Sequence, residues 1–291
     1  MKVAVVGPGA MGCLFAAYLA NSDIKTYLVD YKNDRATRLN ESGLTVEENG
    51  QSIHAKVEVV TAVPAGIDLV IVLTKAYATS ALRFPPETPV LTLQNGLGNV
   101  ETLCSMIGSA RILVGVTSEG CTLLDEGHVR HAGRGLTHVG AWTSCPVDPV
   151  VEVLSKAGFN VEPTESPGQL IWEKVAINAG INPLTAVLNV PNGALIEIKE
   201  VRQLMRDLVV EAAKVAATEG YRFQQSLVEE AEVICQRTST NISSMLQDIR
   251  AGKATEINAI SGEIIRRAQL ASLPTPRTRV IYQLIRGLEQ H

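Results

Sequence analysis

The sequence predicts an α/β domain built on a doubly wound parallel sheet, followed by an all-α domain. Two observations lead to this prediction. Short, β-branched apolar runs alternate with helical patterns through the first half of the chain, and strand signals almost disappear after about residue 165. Continuous apolar strands separated by helices are typical of a parallel sheet that is covered on both faces.

Five apolar runs predict the strands of this sheet. They cover residues 2–7, 25–30, 68–74, 89–96 and 111–117, and a helix at about 10–21 follows the first of them. Segments 43–60 and 127–142 predict smaller strands within or beside the sheet, with Asn49 and Gly50 as a hairpin turn.

The chain changes character near residues 160–167, where FNVEPTESPG has the composition of a linker. Beyond it, helical patterns are punctuated by NVPNG (189–193), TEGY (218–221) and SLPTP (272–276). We therefore predict a first domain over residues 1–165 and a helical substrate and catalytic domain over residues 166–291.

Composition bounds the class of protein. The 291 residues are 46% hydrophobic and 19% charged, which is typical of a globular chain. A net charge of -4 gives no general attraction to phosphate backbones, so nucleic acid is not an expected partner. The apolar opening is interrupted by Gly7, Pro8 and Gly9, and no apolar run of about 18 residues follows, so we expect neither a signal peptide nor a membrane span.

Cysteine usage indicates a reducing compartment, and we expect a cytoplasmic protein. The five cysteines are scattered, odd in number and without a C-x-x-C pair or metal-ligand spacing. We therefore expect no metal site.

The strongest local motif joins the first strand to the first helix. It has the G-x-G-x-x-G spacing and consists of Gly7, Pro8, Gly9, Ala10, Met11 and Gly12. In this motif the glycines allow a tight turn, close backbone approach to a pyrophosphate, and packing of helix on strand. An incidental glycine-rich turn is the alternative, but the strand before and the acid after favour a Rossmann-type dinucleotide-binding domain.

That acid is Asp30, 23 residues after Gly7 at the end of the second strand. A carboxylate there can accept hydrogen bonds from ribose hydroxyls and repel a 2′-phosphate, so Asp30 favours NAD over NADP. Lys32 weakens this preference, and Asp30 could instead only end a strand or cap a turn.

Two further residues follow predicted strands, at the edge where open α/β sheets bind ligands. Lys75 follows DLVIVLT, and Asn95 lies in LTLQNGLG. Each could also be an ordinary loop residue, because lysines are usually solvated and Asn-Gly is a common turn.

A polar stripe marks the predicted helix at 172–187. Lys174, Asn178 and Asn182 are spaced by four residues, so each lies almost above the last, with a drift of about 40° per step. The stripe could face a substrate, with the ammonium stabilising and protonating an oxygen that becomes negative. A surface helix with ordinary polar positions is the alternative.

A second candidate region covers residues 241–268. Ser243 or Ser244 is expected to start a helix that ends at Gly252, and the next helix is expected over 253–268 with Glu256 near its start. The serine could be only a helix cap and the glutamate only an ion-pair partner.

Several stretches together resemble the ketopantoate reductase (2-dehydropantoate 2-reductase) family over nearly the whole chain. They are VAVVGPGAMG, DLVIVLTKAY, LTLQNGLGN, WEKVAINAGINPLTAV, NVPNG and SSMLQDIRAGKATEIN. The resemblance implies a Rossmann domain followed by a helical domain similar to that of 6-phosphogluconate dehydrogenase.

The resemblance also implies residue roles. Lys174 would be the general acid that protonates the 2-keto oxygen, and Glu256 would support the lysine and the cofactor end of the site. Lys75 and Asn95 would lie beside the cofactor, with Asn95 also reaching towards the substrate. The remaining substrate-binding residues would be Asn178, Asn182, Ser244, Asn192 and Asn241.

The implied reaction is hydride transfer from NAD(P)H to the C2 ketone of ketopantoate, giving D-pantoate for pantothenate and coenzyme A biosynthesis. Many family members carry an arginine near Asp30 for the NADP 2′-phosphate, so the acid keeps open an NAD-dependent D-2-hydroxyacid dehydrogenase acting on another branched or aromatic 2-keto acid. A dinucleotide-binding redox sensor is the non-enzyme alternative, but a sensor has no need of Lys174. A homodimer is possible.

Overall fold

The computed structural model describes residues 1–290, which form two compact units. Unit 1 comprises residues 1–94 and 99–167, and unit 2 comprises residues 95–98 and the chain from 168 onward. These units differ from the predicted limits, 1–165 and 166–291, chiefly at 95–98. That segment belongs to unit 2 because Leu97 lies in its apolar core and donates its N–H to the Ala259 carbonyl.

Unit 1 contains an eight-stranded sheet of order β12-β11-β8-β7-β6-β1-β2-β5. Its strands are β1 Lys2–Val6, β2 Lys25–Val29, β5 Glu58–Val60, β6 Leu69–Val72, β7 Val90–Thr92, β8 Ile112–Thr117, β11 Leu136–Ala141 and β12 Asn160–Pro163. All neighbouring pairs are parallel except β11 with β8. The predicted fold class is confirmed.

A second sheet of unit 1 has four strands in the order β4-β3-β10-β9. They are β3 Leu44–Glu48, β4 Gln51–Ala55, β9 Gly120–Asp125 and β10 His128–Gly133. The predicted hairpin is present: Asn49 and Gly50, both with positive φ, join β3 to β4. The predicted strand region at 127–142 is divided, because β10 joins this sheet and β11 joins the larger one.

Four α-helices complete unit 1. They are α1 Ala10–Asn21, α2 Asn33–Ser42, α3 Asn99–Ile107 and α4 Asp148–Lys156. Helix α1 contacts strands of both sheets and is buried from Gly12 to Leu19. A helix that is apolar all round in this way is a core helix, which explains why the first helix carries so few polar residues.

Unit 2 is helical within the described residues. Its α-helices are α5 Pro167–Leu188, α6 Ala194–Glu197, α7 Lys199–Thr218, α8 Leu227–Arg237, α9 Ser244–Arg250, α10 Glu263–Leu270 and α11 Pro276–Leu288. Helix α5 supplies much of the core, with Trp172 and Ala176 almost fully buried. Across residues 1–290, none of the helices combines the length and the apolar character needed to cross a membrane.

The predicted helix over 253–268 is wrong in its first half. A π-helix at Asn258–Gly262 precedes α10 instead. The reason is local: Thr255 uses its hydroxyl oxygen to accept the Ile257 N–H, at 3.1 Å, and donates to Glu289 at 2.7 Å. These bonds compete with a regular first turn and delay the start of the helix.

Candidate active site

The glycine motif in unit 1 has the geometry of a phosphate-binding turn. Gly7 has φ +107 and donates its N–H to Val29, at 3.1 Å. A Cβ on Gly12 would lie 1.8 Å from the Gly7 carbonyl oxygen, whereas a Cβ on Gly9 would meet nothing within 4 Å. Gly12 therefore brings helix against strand, and Gly9 leaves the turn open for close approach of a ligand.

The N-terminus of α1 suits an anion. No side chain caps it, and no acid lies in its first turn. Backbone N–H groups at such a terminus, together with the helix dipole, attract a pyrophosphate. These features fit a bound dinucleotide, which Gly7, Gly9, Ala10, Met11 and Gly12 would hold.

Asp30 follows β2 as expected, but its carboxylate is already engaged. The side chain is fully buried, and Oδ1 accepts hydrogen bonds from Arg35 Nη2 at 2.7 Å and the Lys32 N–H at 3.0 Å. Arg35 Nε donates to the other oxygen. Sequence reasoning missed Arg35, because its partner lies five residues away across a strand end and a helix start.

The Asp30–Arg35 pair borders a cavity of about 510 Å³ at the start of α2. The cavity is lined by Lys32, Asn33, Asp34, Arg35, Arg38 and Glu126. Arg38 and Glu126 form their own ion pair at 2.8 Å. Near Asp30 the lining therefore offers the Arg35 guanidinium, which remains about a quarter exposed, rather than a bare carboxylate.

Lys75 lies at the carboxyl edge of the large sheet, immediately before a 3₁₀ helix at Ala76–Ala81. The neighbouring strand ends are tied together by Gln94, whose Nε2 donates to the Thr74 carbonyl at 2.9 Å and to Thr79 Oγ1 at 2.8 Å. The position is the one expected for Lys75, and it belongs to the same unit as the glycine motif.

The polar stripe on α5 lies in unit 2. Asn182 is 8% exposed, whereas Lys174 and Asn178 keep partial exposure. Desolvation lowers the pKa of Lys174 from its usual 10.5 to about 8, and the negative charge of Glu256 opposes this shift. An amine with a pKa near neutrality can both give and accept a proton at physiological pH.

Glu256 and Asn95 meet in the same unit. Glu256 is 7% exposed, and Asn95 donates from Nδ2 to Glu256 Oε2 at a long 3.4 Å. Unit 2 thus combines a desolvated lysine, a carboxylate that interacts electrostatically with it, and an amide that contacts this carboxylate.

The two serines at the start of α9 differ in role. Ser243 is the N-cap: its buried hydroxyl accepts the Leu246 N–H at 3.1 Å and bonds to Thr185 at 2.7 Å. Ser244 is the first helical residue and is exposed. The cap and the ligand-binding candidate are therefore adjacent residues, and the structure assigns capping to Ser243.

Asn192 and Asn241 are joined by their backbones, since the Asn192 N–H donates to the Asn241 carbonyl at 3.0 Å. Asn192 Nδ2 donates to Thr238 at 2.9 Å, but within residues 1–290 its buried Oδ1 has no hydrogen-bond partner. A buried acceptor without a donor costs about 1–3 kcal/mol. Asn241, by contrast, is exposed.

The candidate residues thus fall into two groups. Unit 1 holds the glycine motif, Asp30 and Lys75. Unit 2 holds the residues predicted to bind the substrate or transfer a proton, namely Asn95, Lys174, Asn178, Asn182, Asn192, Asn241, Ser244 and Glu256.

A dinucleotide-binding unit and a helical unit with a desolvated lysine define an NAD(P)-dependent oxidoreductase. The model of ketopantoate reductase PanE/ApbA matches residues 3–144, and the model of its C-terminal domain matches residues 168–289. The chain belongs to the ketopantoate reductase PanE/ApbA family.

Relatives named 2-dehydropantoate 2-reductase align over their full length. The protein from Halobacterium salinarum is 36% identical over 297 residues, covering 98% of this chain and 98% of the relative. The protein from Pyrococcus horikoshii is 34% identical over 298 residues, covering 99% of this chain and 98% of the relative.

Solved structures are also similar over the whole chain. D-mandelate dehydrogenase with NADH and anilino(oxo)acetate has a TM-score of 0.93 at 27% identity, covering 100% of this chain and 99% of the other. A ketopantoate reductase from Ralstonia eutropha has a TM-score of 0.91 at 29% identity, covering 100% of both chains.

Proposed function

We propose that this protein is a 2-dehydropantoate 2-reductase that converts ketopantoate to D-pantoate. The observation that carries the proposal is the desolvated Lys174, with its pKa near 8, in the same helical unit as Glu256. Lys174 supports the class of reaction, and the full-length relatives named 2-dehydropantoate 2-reductase support ketopantoate as the substrate. The product would serve pantothenate and coenzyme A biosynthesis.

Lys174 is the proposed general acid. A nicotinamide dinucleotide held by the glycine motif would, in its reduced form, supply the hydride for the C2 carbon of the keto acid. As negative charge develops on the carbonyl oxygen, the Lys174 ammonium stabilises it and donates a proton, which leaves a neutral amine and the C2 hydroxyl. The lysine then regains a proton from solvent, and the Glu256 carboxylate favours the recharged form.

Amide and hydroxyl groups are proposed to orient the substrate. Asn178 and Asn182 follow Lys174 along α5, so they would contact the atoms next to the reacting ketone. Ser244, Asn192 and Asn241 would bind the carboxylate and hydroxyl ends, and Asn95 would contribute next to Glu256. The unsatisfied Asn192 oxygen supports this assignment, because a substrate hydroxyl could donate to it.

NADH is the proposed preferred donor, on the basis of Asp30. A carboxylate after β2 disfavours a 2′-phosphate and accepts ribose hydroxyls. The Arg35 ion pair offsets part of this effect, since it neutralises the carboxylate and places a guanidinium beside it. We therefore expect modest discrimination, about tenfold, equivalent to about 1.4 kcal/mol.

A D-2-hydroxyacid dehydrogenase that acts on a bulkier 2-keto acid is the second candidate. The similarity to D-mandelate dehydrogenase favours it, because that structure aligns over 100% of this chain. The two candidates share the hydride and proton transfers and differ only in the side chain of the substrate.

A steady-state assay separates the candidates. Purified protein is given ketopantoate or phenylglyoxylate, each with NADH and with NADPH at equal concentrations. A kcat/KM for ketopantoate at least tenfold above that for phenylglyoxylate would support the reductase. The reverse order would favour the second candidate, and no turnover with either substrate would contradict both.

We also propose a cytoplasmic location, which the five free cysteines support.

A further inference from the structure

The segment Asn95–Gly98 is packed unusually closely on the π-helix of unit 2. Gly96 has φ +90, and a Cβ built on it would lie 2.6 Å from the Ala259 Cβ and 2.7 Å from the Ala259 carbonyl oxygen. Neither distance is compatible with a real side chain. Gly96 is therefore required twice, for its left-handed backbone and for this contact.

A hydrogen bond fixes the same contact. The Leu97 N–H donates to the Ala259 carbonyl at 2.7 Å, and the Leu97 side chain is 7% exposed in the apolar core of unit 2. A backbone hydrogen bond and a buried side chain, both from Leu97, thus hold the segment next to its closest approach at Gly96.

Helix α11 packs against the π-helix and donates hydrogen bonds to it. Tyr282 donates from its hydroxyl to Asn258 Oδ1 at 2.9 Å, and Arg286 donates to the same oxygen at 3.3 Å. The π-helix also buries the Ser261 hydroxyl, which has no hydrogen-bond partner within residues 1–290. Single π-turns are rare and occur mostly at functional sites, and an unsatisfied buried hydroxyl is a further cost of this one.

The two ends of this arrangement are residues of the proposed site. Asn95, one residue before Gly96, donates to Glu256 at 3.4 Å. Glu256, three residues before Ala259, accepts the Ile260 N–H through its carbonyl at 3.1 Å. A displacement at Gly96 and Ala259 is therefore transmitted to both Asn95 and Glu256.

We propose that Gly96 and Ala259 are positioning residues for proton transfer, because their contact fixes Asn95 and Glu256 relative to each other and so maintains the charge that faces Lys174. This inference rests on the proposed function for its effect on turnover. It does not rest on that function for its effect on the ionisation of Lys174.

The test compares two glycines of the same segment. Gly96→Ala introduces the overlap with Ala259. Gly98→Ala imposes a similar backbone strain, at φ +86, but its Cβ would lie no closer than 3.5 Å to the Glu263 side chain. Both variants strain the backbone, but only Gly96→Ala overlaps Ala259, so a difference in their properties reports the effect of the contact with Ala259. We expect Gly96→Ala to lower kcat about 10- to 100-fold, with the Kd for NADH unchanged and with Gly98→Ala within about threefold of the wild type.

A second readout does not need turnover. The pH dependence of Lys174 acetylation by acetic anhydride, followed on its peptide by mass spectrometry, reports the ionisation of this amine. Because the Glu256 charge raises the pKa of Lys174, displacing Glu256 should move the midpoint below that of the wild type in Gly96→Ala and not in Gly98→Ala. A merely structural role for Gly96 would not shift it.

Two further variants complete the test. If Gly96→Ala does not fold, Ala259→Val presses on the same contact from the other side and should shift the same midpoint. In Gly96→Ala, adding Ala259→Gly removes the nearest overlapping atom and should restore part of the activity. Equal kcat and equal midpoints in the Gly96 and Gly98 variants would overturn the proposal. A wild-type protein inactive on every 2-keto acid would contradict the proposed function alone, since the acetylation midpoints would still test the contact.

Discussion

Each unit of the molecule contains a group of partly or fully buried ionisable residues, and the two groups differ in their surroundings. In unit 1, His131 lies between two glutamates in a network that we call the His131 cluster. In unit 2, Lys174 lies in a desolvated environment near Glu256. The members of the first group hydrogen-bond to one another, whereas in the second group desolvation makes the Lys174 proton easier to lose.

The His131 cluster joins α1 to the small sheet. His131 Nε2 lies 2.5 Å from Glu119, and its Nδ1 lies 3.0 Å from the Tyr18 hydroxyl and 3.1 Å from Glu48. Arg134 donates to Glu48 at 2.7 Å and lowers the pKa of that carboxyl. The carboxylates of Glu48 and Glu119 thus both have hydrogen-bond partners within the cluster, which makes it a structural network.

The Lys174 environment is different because desolvation dominates it. Burial lowers the pKa of the lysine to about 8 despite the nearby carboxylate. Unit 2 also buries Asn192 Oδ1 and Ser261 Oγ, which have no hydrogen-bond partner among residues 1–290. Perturbed and unsatisfied groups of this kind are typical of active sites, where stability is given up for chemistry. Buried ionisable groups alone therefore do not indicate function, whereas a lysine whose pKa is lowered by desolvation does.

The largest expected effect is on turnover. Lys174→Ala should lower kcat by about 10²–10⁴-fold, because it removes the proton donor. The Kd for NADH should be nearly unchanged, since the glycine motif lies in the other unit. Lys199→Ala, at an exposed lysine at the start of α7, is the matched control. Unchanged turnover of the Lys174 variant would show that Lys174 is not the proton donor.

The His131 cluster should respond in stability. His131→Ala leaves the buried Glu119 carboxylate without its hydrogen-bond partner His131 and should lower the free energy of unfolding by about 3 kcal/mol. Urea denaturation measures this change, and His54→Ala, at an exposed histidine, should change it by less than about 0.5 kcal/mol. Equal effects at both positions would show that the cluster is not structural.

Lys174→Met should raise the free energy of unfolding, whereas His131→Ala lowers it. A folded-state pKa of about 8, below the usual 10.5, means that folding desolvates a charged amine at every pH below 8. This cost is constant below pH 8 and disappears between pH 8 and 10.5. The variant should therefore be more stable by about 1–3 kcal/mol at pH 7, with the gain shrinking towards pH 10. A loss of stability at pH 7 would contradict the desolvated state of Lys174.

The smallest expected effect concerns the Asp30–Arg35 pair, whose members hydrogen-bond to each other as in the His131 cluster and which lies at the predicted ribose-binding position. Asp30→Ala leaves the Arg35 guanidinium for a 2′-phosphate and should shift preference towards NADPH by about tenfold. Arg35→Ala should shift it towards NADH, and Arg38→Ala, whose partner is Glu126, should change it little. Relative kcat/KM values for the two cofactors measure this. Shifts in the same direction for Asp30→Ala and Arg35→Ala would show that the pair does not read the ribose.

Local patterns were sufficient to predict much of the fold. Five adjacent strands of the large sheet, helix α1 and the Asn49-Gly50 hairpin follow from periodicity and turn chemistry between near neighbours. Strand β12, Asn160–Pro163, was not predicted, because it lies in the stretch with the composition of a linker. The polar stripe on α5 also follows from spacing within one helix. Its proposed partner Glu256 was assigned through family resemblance, because no local pattern links residues so far apart.

The features that sequence reasoning missed depend on distant contacts. The π-helix arises where Thr255 bonds to Glu289, 34 residues away. The membership of residues 95–98 in unit 2 depends on Leu97 meeting Ala259, and the contact of Asn95 with Glu256 spans 161 residues. The Arg35 partner of Asp30 is near in sequence but crosses from a strand to a helix, where neither periodicity applies.

The pH dependence of kcat/KM for ketopantoate reduction, in the wild type and in Glu256→Gln, tests the central claim most directly. This parameter reports the ionisation of the free enzyme. If Lys174 must be protonated, kcat/KM should be constant at low pH and fall as the pH rises through about 8. Loss of the Glu256 charge should move that fall to lower pH. A profile that stays flat to pH 10, or one that is identical in the two proteins, would contradict Lys174 as the proton donor.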